Sequence, residues 1–215
     1  MEMTERENDI LWKEYFYPGT KVLINYFDIK DKEKLKEVEA SNSFDRLLEL
    51  RDNPIDLGFG IEHLLGLHKY IFGDIYPFAG QLRKVNMHKD NHFFVPIEDG
   101  NGLVVYLNEV FEFVNKELMN CSSLDQFADL LARLYTDLIH CHPFREGNGR
   151  TIREFIREFS ISKSKELGLG NYELDWKSID KEKLDEYVDV AHIFPGATSI
   201  IFRNALSENN KVVNK

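Results

Sequence analysis

Apolar residues recur at three- and four-residue spacing along much of the chain, which is the pattern of helices that bury one face. Glycine and proline are sparse within these segments, so the pattern is rarely interrupted. In the second segment the apolar face begins at Leu57. We therefore predict a mainly α-helical protein, with helices over residues 31–50, 56–75, 103–118, 123–142, 180–191 and 197–207.

The helix over 123–142 has the clearest start and stop signals. Ser123-Leu-Asp-Gln126 has the S-x-x-Q form of a capping box, in which two side chains accept from backbone N–H groups at the helix start. Pro143 ends the helix, because a proline pushes the residue before it out of the helical region. The buried face is predicted to contain Phe127, Leu130, Leu131, Leu134, Leu138 and Ile139.

The period of the apolar residues changes between 85 and 96. Two short stretches, 85–87 and 93–95, flank the polar segment 88–92, and Asp90-Asn91 within it suits a tight turn. We predict a β-hairpin at 85–96. It is the only strand pair that the pattern indicates.

Length and composition fit one compact domain. A chain of 215 residues with 43% hydrophobic content can bury one sizeable core. We expect an N-terminal helical cap at 1–52, a core at 53–207 and a flexible tail at 208–215.

The net charge and the two cysteines indicate which classes of protein and which compartment fit this chain. The 27 basic and 37 acidic residues give a net charge of −10, which opposes a broad hold on nucleic acid, so any phosphate site must be local. No apolar stretch has the length of a signal peptide or a membrane span. Cys121 and Cys141 are expected to fill space, and a reducing cytoplasm is the expected location.

The candidate chemistry lies at 142–153. Gly147-Asn148-Gly149 directly precedes a helical pattern, so its backbone N–H groups can face an anion at the positive end of that helix. Helical geometry places Arg150, Arg153 and Arg157 on one face, opposite a core face of Ile152, Phe155, Ile156 and Phe159. Arginine offers bidentate donors that stay charged, as a polyphosphate requires.

Two residues before the glycines complete this candidate site. The Glu146 carboxylate suits a Mg²⁺ that also binds phosphate oxygens, and His142 can accept a proton near neutral pH. Together these residues suit group transfer at phosphorus. Each feature also has a plain alternative: a turn at His142-Pro143, a simple glycine turn, and arginines paired with Glu154 and Glu158. A zinc site at His140 and His142 is disfavoured, because the two flank a helix end.

The stretch from 142 to 153 resembles the Fic (filamentation induced by cAMP) family, whose signature H-P-F-x-[DE]-G-N-G-R-x-x-R it matches at every specified position. The segments 17–20 and 74–83 and the predicted hairpin are also similar to Fic proteins. The resemblance covers roughly residues 17–206. It implies the Fic fold, a helical core with a β-hairpin flap.

The resemblance implies a protein adenylyltransferase that moves AMP from ATP to a Tyr, Thr or Ser hydroxyl of a target protein. His142 would be the general base, Phe144 a core anchor and Glu146 the Mg²⁺ ligand. The anion hole and the binding of the outer phosphates would fall to Gly147, Asn148, Gly149, Arg150 and Arg153.

The predicted hairpin corresponds to the Fic flap, which docks the target segment by adding it as a strand. The residues expected to dock it are Val85, Met87, Phe93 and Val95. Lys89 stands where Fic flaps usually carry a lysine, and we assign it to ATP binding. Asp90-Asn91-His92 departs from the glycine-rich residues usual after that lysine, which leaves turn shape and target choice open.

Regulation and partners follow from the same resemblance. Many Fic proteins carry an inhibitory helix with the motif [ST]-x-x-x-E-[GN], and this chain has no intact copy. The nearest match runs from Asn204 to Asn209, with Glu208 as the candidate inhibitor. The favoured hypothesis is inhibition in trans by a small antitoxin, with this chain as the toxin and a type II topoisomerase as the target by analogy.

Two alternatives to AMP transfer stay open. A related Fic enzyme can move UMP or phosphocholine instead, whereas the phosphate-transferring branch has lysine at the position of Gly149. A binding module that has lost catalysis would show damage at His142 or Glu146, and both are intact.

Overall fold

A computed structural model describes residues 3–89, 92–97, 102–190 and 196–209, and most of these residues are helical. The mainly α prediction is confirmed. No helix within these ranges is long and apolar enough to cross a membrane. The helices are α1 Glu5–Lys13, α2 Lys32–Asp52, α3 Ile61–Phe72, α4 Gly102–Leu118, α5 Leu124–Cys141, α6 Asn148–Glu166, α7 Lys181–Val190 and α8 Ala197–Ala205.

Side chains cap several of these helices. At α5 the backbone N–H of Gln126 donates to Ser123 Oγ at 3.3 Å, as the capping box predicts. The Gln126 side chain accepts from the N–H of Ser122 at 2.9 Å, one residue before the expected donor. At α2 the carboxylate of Asp31 accepts from the N–H of Lys34 at 2.8 Å.

Helix α3 begins later than predicted. The backbone of Gly58 is left-handed, with φ +70°, so the chain is not helical there and α3 starts at Ile61. Leu57 therefore lies outside the helix and is 51% exposed, and its assignment to the buried face was wrong.

The flap is a hairpin whose strands are shorter than predicted. Strand β1, His88–Lys89, pairs antiparallel with β2, His92–Phe93, and His88 faces Phe93. The predicted strand at 85–87 was wrong. The carbonyls of Val85 and Val95 accept from the guanidinium of Arg83 rather than from N–H groups of the opposite leg of the hairpin. The proposed turn at Asp90-Asn91 lies outside the described residues.

A second strand pair, not predicted, joins β3, Tyr172–Leu174, to β4, Leu206–Glu208, in antiparallel register. Glu208 therefore lies on a strand opposite Tyr172 rather than on a helix. The candidate inhibitory helix at 204–209 is not formed, since α8 ends at Ala205.

The chain divides into two compact units. The first consists of Met1–Asn108 and Cys141–Thr151, and the second of Glu109–His140 and Ile152–Lys215. The core of the first unit includes Leu64, Leu67, Ile71, Phe72, Ile75 and Phe144. The core of the second includes Phe127, Leu131, Leu138, Phe155, Phe159 and Phe202. The division into cap, core and tail stays a prediction.

Candidate active site

His142 occupies the first position after α5, in an unusual backbone conformation. Its φ is +47°, in the left-handed region that non-glycine residues rarely adopt and that is found at functional sites. Its ring stacks on that of Phe94, with 3.9 Å between centroids and 12° between planes. Its Nδ1 atom is buried.

The side chain of Asn148 braces the loop that follows His142. Its Oδ1 accepts from the N–H of Phe144 at 2.8 Å, and its Nδ2 donates to the carbonyl of the same residue at 2.7 Å. Asn148 is only 4% exposed, and Phe144 is fully buried. Any contribution of Asn148 to an anion hole must therefore come from its backbone N–H.

Gly147 is required by both conformation and space. Its φ is +80°, and a Cβ at this position would lie 2.4 Å from the ring of Phe72. Helix α6 begins at Asn148, so Asn148 and Gly149 form its first turn rather than a loop before it. The N–H groups of such a first turn point out of the helix at its positive end, which suits a phosphate.

Arg150 is held by a network within the first unit. Its Nη1 donates to Ser43 Oγ at 3.0 Å, and its Nη2 donates to Glu39. The guanidinium lies over the ring of Phe72, at 4.7 Å from the centroid, and Nη2 is 4.0 Å from Glu146 Oε1. The charge of Arg150 is therefore placed beside the candidate metal ligand.

Glu146 fits a magnesium ion that arrives with a nucleotide. Its side chain is partly exposed, and Oε1 accepts from the N–H of Gly147 at 3.0 Å, which leaves Oε2 for a cation. The described residues contain no group of three or more His, Cys, Asp or Glu side chains that could hold a metal. Mg²⁺ commonly binds through one or two carboxylates, phosphate oxygens and water, so the single carboxylate of Glu146 fits this ion, and its role as a ligand stays a prediction.

The two later arginines of α6 belong to the second unit and differ in their surroundings. Arg157 is buried and its Nε donates to both carboxylate oxygens of Glu154 at 3.0 Å. Arg157 is therefore paired with Glu154 inside the protein and does not belong to an anion-binding face. The prediction that Arg150, Arg153 and Arg157 share such a face was wrong for Arg157. Arg153 is partly exposed and its carbonyl accepts from Trp176 Nε1 at 3.0 Å. Its role in phosphate binding stays a prediction.

His68 was not identified from the sequence, because its spacing on α3 is that of an ordinary core residue. Its Nδ1 accepts from the N–H of Gly80 at 2.8 Å, so Nε2 carries the proton and donates to the carbonyl of Glu146 at 3.0 Å. Its ring stacks on Phe144 at 3.8 Å. Burial lowers the pKa of His68 to about 4, so the ring is neutral near pH 7.

The flap residues divide into buried and exposed groups. Val85 and Val95 belong to the core, so their side chains are not on a docking surface as the resemblance implied. Phe93 is 73% exposed, Lys89 is exposed and Met87 is half-buried. Of the four residues predicted to dock a target, Phe93 and Met87 are therefore the accessible ones, and the docking itself stays a prediction.

Arg83 and Phe94 also act on the site and were missed. Arg83 Nε donates to the carbonyl of His142 at 2.8 Å, and Phe94 supplies the ring against His142. Arg83 is the last residue of the segment 74–83, whose similarity to Fic proteins is the sequence feature that points to it. For Phe94, the only such feature is its place in the predicted hairpin.

The chain is similar to known proteins over most of its length. The Fic/DOC family model matches residues 58–160. The protein adenylyltransferase VbhT of Bartonella schoenbuchensis is 31% identical over 170 residues, covering 79% of this chain and 34% of that protein. A Fic protein of Escherichia coli, named as a probable protein adenylyltransferase, is 30% identical over 175 residues, covering 78% of each.

A solved structure has the same fold. The N-terminal Fic domain of a Bep effector protein from Bartonella quintana, with bound ADP, superposes with a TM-score of 0.78 at 24% identity. The match covers 94% of this chain and 98% of that one. The chain spans about a third of the length of VbhT but most of the Escherichia coli relative.

Proposed function

Because the chain belongs to the Fic/DOC family, we propose that it is a protein adenylyltransferase that moves AMP from ATP to a Tyr, Thr or Ser hydroxyl of a target protein. The observation that carries the proposal is the arrangement within the first unit. His142 and Glu146 lie in the loop that Asn148 braces, and this loop leads directly into the first turn of α6, which carries Arg150.

His142 Nε2 takes the proton of the target hydroxyl as the hydroxyl oxygen attacks the α-phosphorus. The new bond joins that oxygen to phosphorus, and the bond from the α-phosphorus to the bridging oxygen of pyrophosphate breaks. The products are the AMP ester of the target and pyrophosphate, and His142 then returns its proton to solvent. The stack of His142 on Phe94 holds the ring in one orientation for this transfer.

The remaining residues of the motif bind phosphate oxygens. The first-turn N–H groups of α6 face the α- and β-phosphates, and Arg150, together with Arg153, binds the outer phosphates. Glu146 would hold Mg²⁺, which neutralises phosphate charge as pyrophosphate leaves. Lys89 is exposed on β1 and is the flap cation that we assign to the nucleotide.

The test is incubation of the purified protein with a cell lysate, Mg²⁺ and either α-³²P-ATP or γ-³²P-ATP. AMP transfer labels target proteins from the α-position only, and His142→Ala abolishes the label. Label from the γ-position would indicate phosphate transfer instead. Absence of label from ATP, with label from UTP or CDP-choline, would replace AMP by UMP or phosphocholine as the transferred group.

We also propose that the activity is held in check in trans, by a small antitoxin that supplies the inhibitory helix, and that the protein acts as a cytoplasmic toxin. The support is the missing [ST]-x-x-x-E-[GN] motif in the sequence and the position of Glu208 on β4. Isolated protein is then active without a partner. Inactive protein that Glu208→Gly activates would refute inhibition in trans.

A type II topoisomerase is the target that family analogy nominates. The assay repeats the labelling with a purified topoisomerase and maps the modified residue by mass spectrometry. AMP on a tyrosine supports this target. Labelled lysate proteins with an unlabelled topoisomerase would keep the activity and discard the target.

A further inference from the structure

Arg83 donates hydrogen bonds to three consecutive backbone carbonyls at the C-terminal end of α5. Its backbone N–H donates to the carbonyl of Pro143 at 2.8 Å, its Nε to that of His142 at 2.8 Å and its Nη2 to that of Cys141 at 3.2 Å. Carbonyls at a helix end have no partner within the helix, and Pro143 prevents the helix from continuing. Arg83 therefore fixes the backbone on both sides of the catalytic residue.

The same guanidinium holds both legs of the flap. Nη1 donates to the carbonyl of Val85 at 2.5 Å, and Nη2 donates to that of Val95. Toward the tip, the two legs of the hairpin approach each other, and the N–H of Phe94 donates to the carbonyl of Met87 at 3.2 Å. Arg83 thus stands where the ladder of the hairpin would otherwise begin.

Arg83 is a buried cation whose partners are all carbonyl oxygens. It is 3% exposed, and each hydrogen bond of its guanidinium within the described residues goes to a backbone carbonyl. Burial lowers its pKa to about 10, which leaves it charged at neutral pH. Only arginine offers five N–H donors in a planar fork, so lysine can keep the charge here but not the set of bonds.

The contacts of Arg83 converge on His142 by two routes. One is direct, through the carbonyl of His142, whose backbone is held in the left-handed region. The other runs through Val95 to its neighbour Phe94, whose ring stacks on the imidazole. The orientation of the base and the position of the flap thus depend on one side chain.

We propose that Arg83 is a positioning residue that fixes the flap to the backbone of His142, so that a target hydroxyl docked on the flap reaches the base. The kinetic part of this inference rests on the proposed AMP transfer. The structural part, the coupling of flap and loop, does not. The two parts are therefore tested with separate measurements.

The variants are Arg83→Lys and, as matched control, Arg157→Lys. Arg157 is equally buried, at 5% exposure, but its partner is Glu154 in the second unit. Hydrogen exchange is measured for residues 85–89 and 93–97, with α3 as reference. Arg83→Lys should speed exchange in the flap about tenfold relative to α3, and Arg157→Lys should not. Equal exchange in the flap of both variants would overturn the coupling.

Kinetics of AMP transfer give the second readout. Arg83→Lys should raise the KM for the target about tenfold and leave the KM for ATP within about twofold, because the α6 turn is untouched. A KM for the target and a kcat that both equal those of the wild type, per mole of folded protein, would overturn the kinetic part. Wild-type protein that transfers no AMP, but whose flap exchange depends on Arg83, would refute the proposed function and keep the coupling.

A measurement on the wild-type protein covers the case in which Arg83→Lys does not fold. The Nε–H of Arg83 should exchange slowly in ¹⁵N NMR spectra, because it is buried and bonded to His142. The Nε–H of Arg46, bonded to Asp74 near the surface, is the reference. Equally fast exchange at both sites would refute the role of Arg83.

Discussion

Arg150, the first arginine of the motif, donates to the carboxylate of Glu39 on α2, and the hydroxyl of Tyr76 donates to the other oxygen of the same carboxylate. Burial raises the pKa of Tyr76, so its hydroxyl stays protonated as a donor. Ser43 accepts from the second terminal nitrogen of Arg150. The arginine assigned to the outer phosphates is thus oriented by contacts within the protein itself.

Removing the Glu39 carboxylate should weaken nucleotide binding. In Glu39→Ala, Arg150 loses the carboxylate that accepts its hydrogen bond, and we expect the KM for ATP to rise about tenfold, which corresponds to about 1.4 kcal/mol. Glu39→Gln, which keeps an acceptor, should have a smaller effect. Steady-state kinetics at varied ATP measure both.

Glu37→Ala is the control for this change, since Glu37 is exposed on the same helix. It should leave the KM for ATP unchanged. A lower KM in Glu39→Ala would mean that the carboxylate competes with phosphate for Arg150 rather than orienting it.

Gly147→Ala should destabilise the protein and abolish transfer. The new Cβ meets the Phe72 ring at 2.4 Å in addition to the strain of a left-handed alanine. We expect the free energy of unfolding in urea to fall by about 2–4 kcal/mol.

Gly168→Ala separates the two causes. Gly168 has a similar φ, +70°, and an added methyl group would meet nothing within 4 Å, so only the conformational cost of about 1–2 kcal/mol applies. Equal losses in the two variants would show that Phe72 moves aside without cost.

His68 should make stability depend on pH between about 6.5 and 4. The folded state holds this ring neutral, whereas the unfolded chain binds a proton below its ordinary pKa of about 6.5. The unfolded state therefore binds more protons in this window, and stability falls as the pH is lowered through it. A shift from 6.5 to about 4 corresponds to roughly 3 kcal/mol.

The measurement compares wild-type protein with His68→Gln by urea unfolding at several pH values. The difference in unfolding free energy between the two should shrink as the pH falls from 6.5 to 4 and stay constant above 7. A difference that does not change with pH would exclude a neutral buried His68.

Asn148→Ala should loosen the loop between the base and α6. Without the side chain, the N–H and carbonyl of the buried Phe144 both lose their partner, at about 1–3 kcal/mol each. Urea unfolding and AMP transfer should both show the loss. Asn120→Ala, at an exposed asparagine, should change stability by less than about 0.5 kcal/mol. Full activity in Asn148→Ala would show that the loop keeps its shape without this brace.

The sequence was informative where structure follows from neighbouring residues. Helices α4 and α5 have the predicted bounds to within a residue, because apolar spacing and Pro143 act locally. The motif was recognisable because its residues are contiguous. The left-handed backbone of Gly58 is also a local effect, yet glycine alone does not reveal which conformation it adopts.

Contacts between distant segments could not be predicted. Glu39 and Arg150 are far apart in sequence, and no spacing rule relates a charged helix face to a residue of the motif. The predicted strand at 85–87 was wrong for the same reason, since Arg83 binds the carbonyls of Val85 and Val95. Strands β3 and β4 are likewise separated by two helices.

The shortness of the hairpin has a consequence for the range of proteins that the enzyme can modify. Among the described residues, its strands β1 and β2 have two residues each, so their outer edges offer few peptide groups to an added strand. A docked segment would pair with the hairpin over only a few residues, so few of its side chains would be recognised. Selectivity would then depend on whether a target presents its hydroxyl on an extended, accessible loop, so that unrelated sequences of that shape compete for the same enzyme.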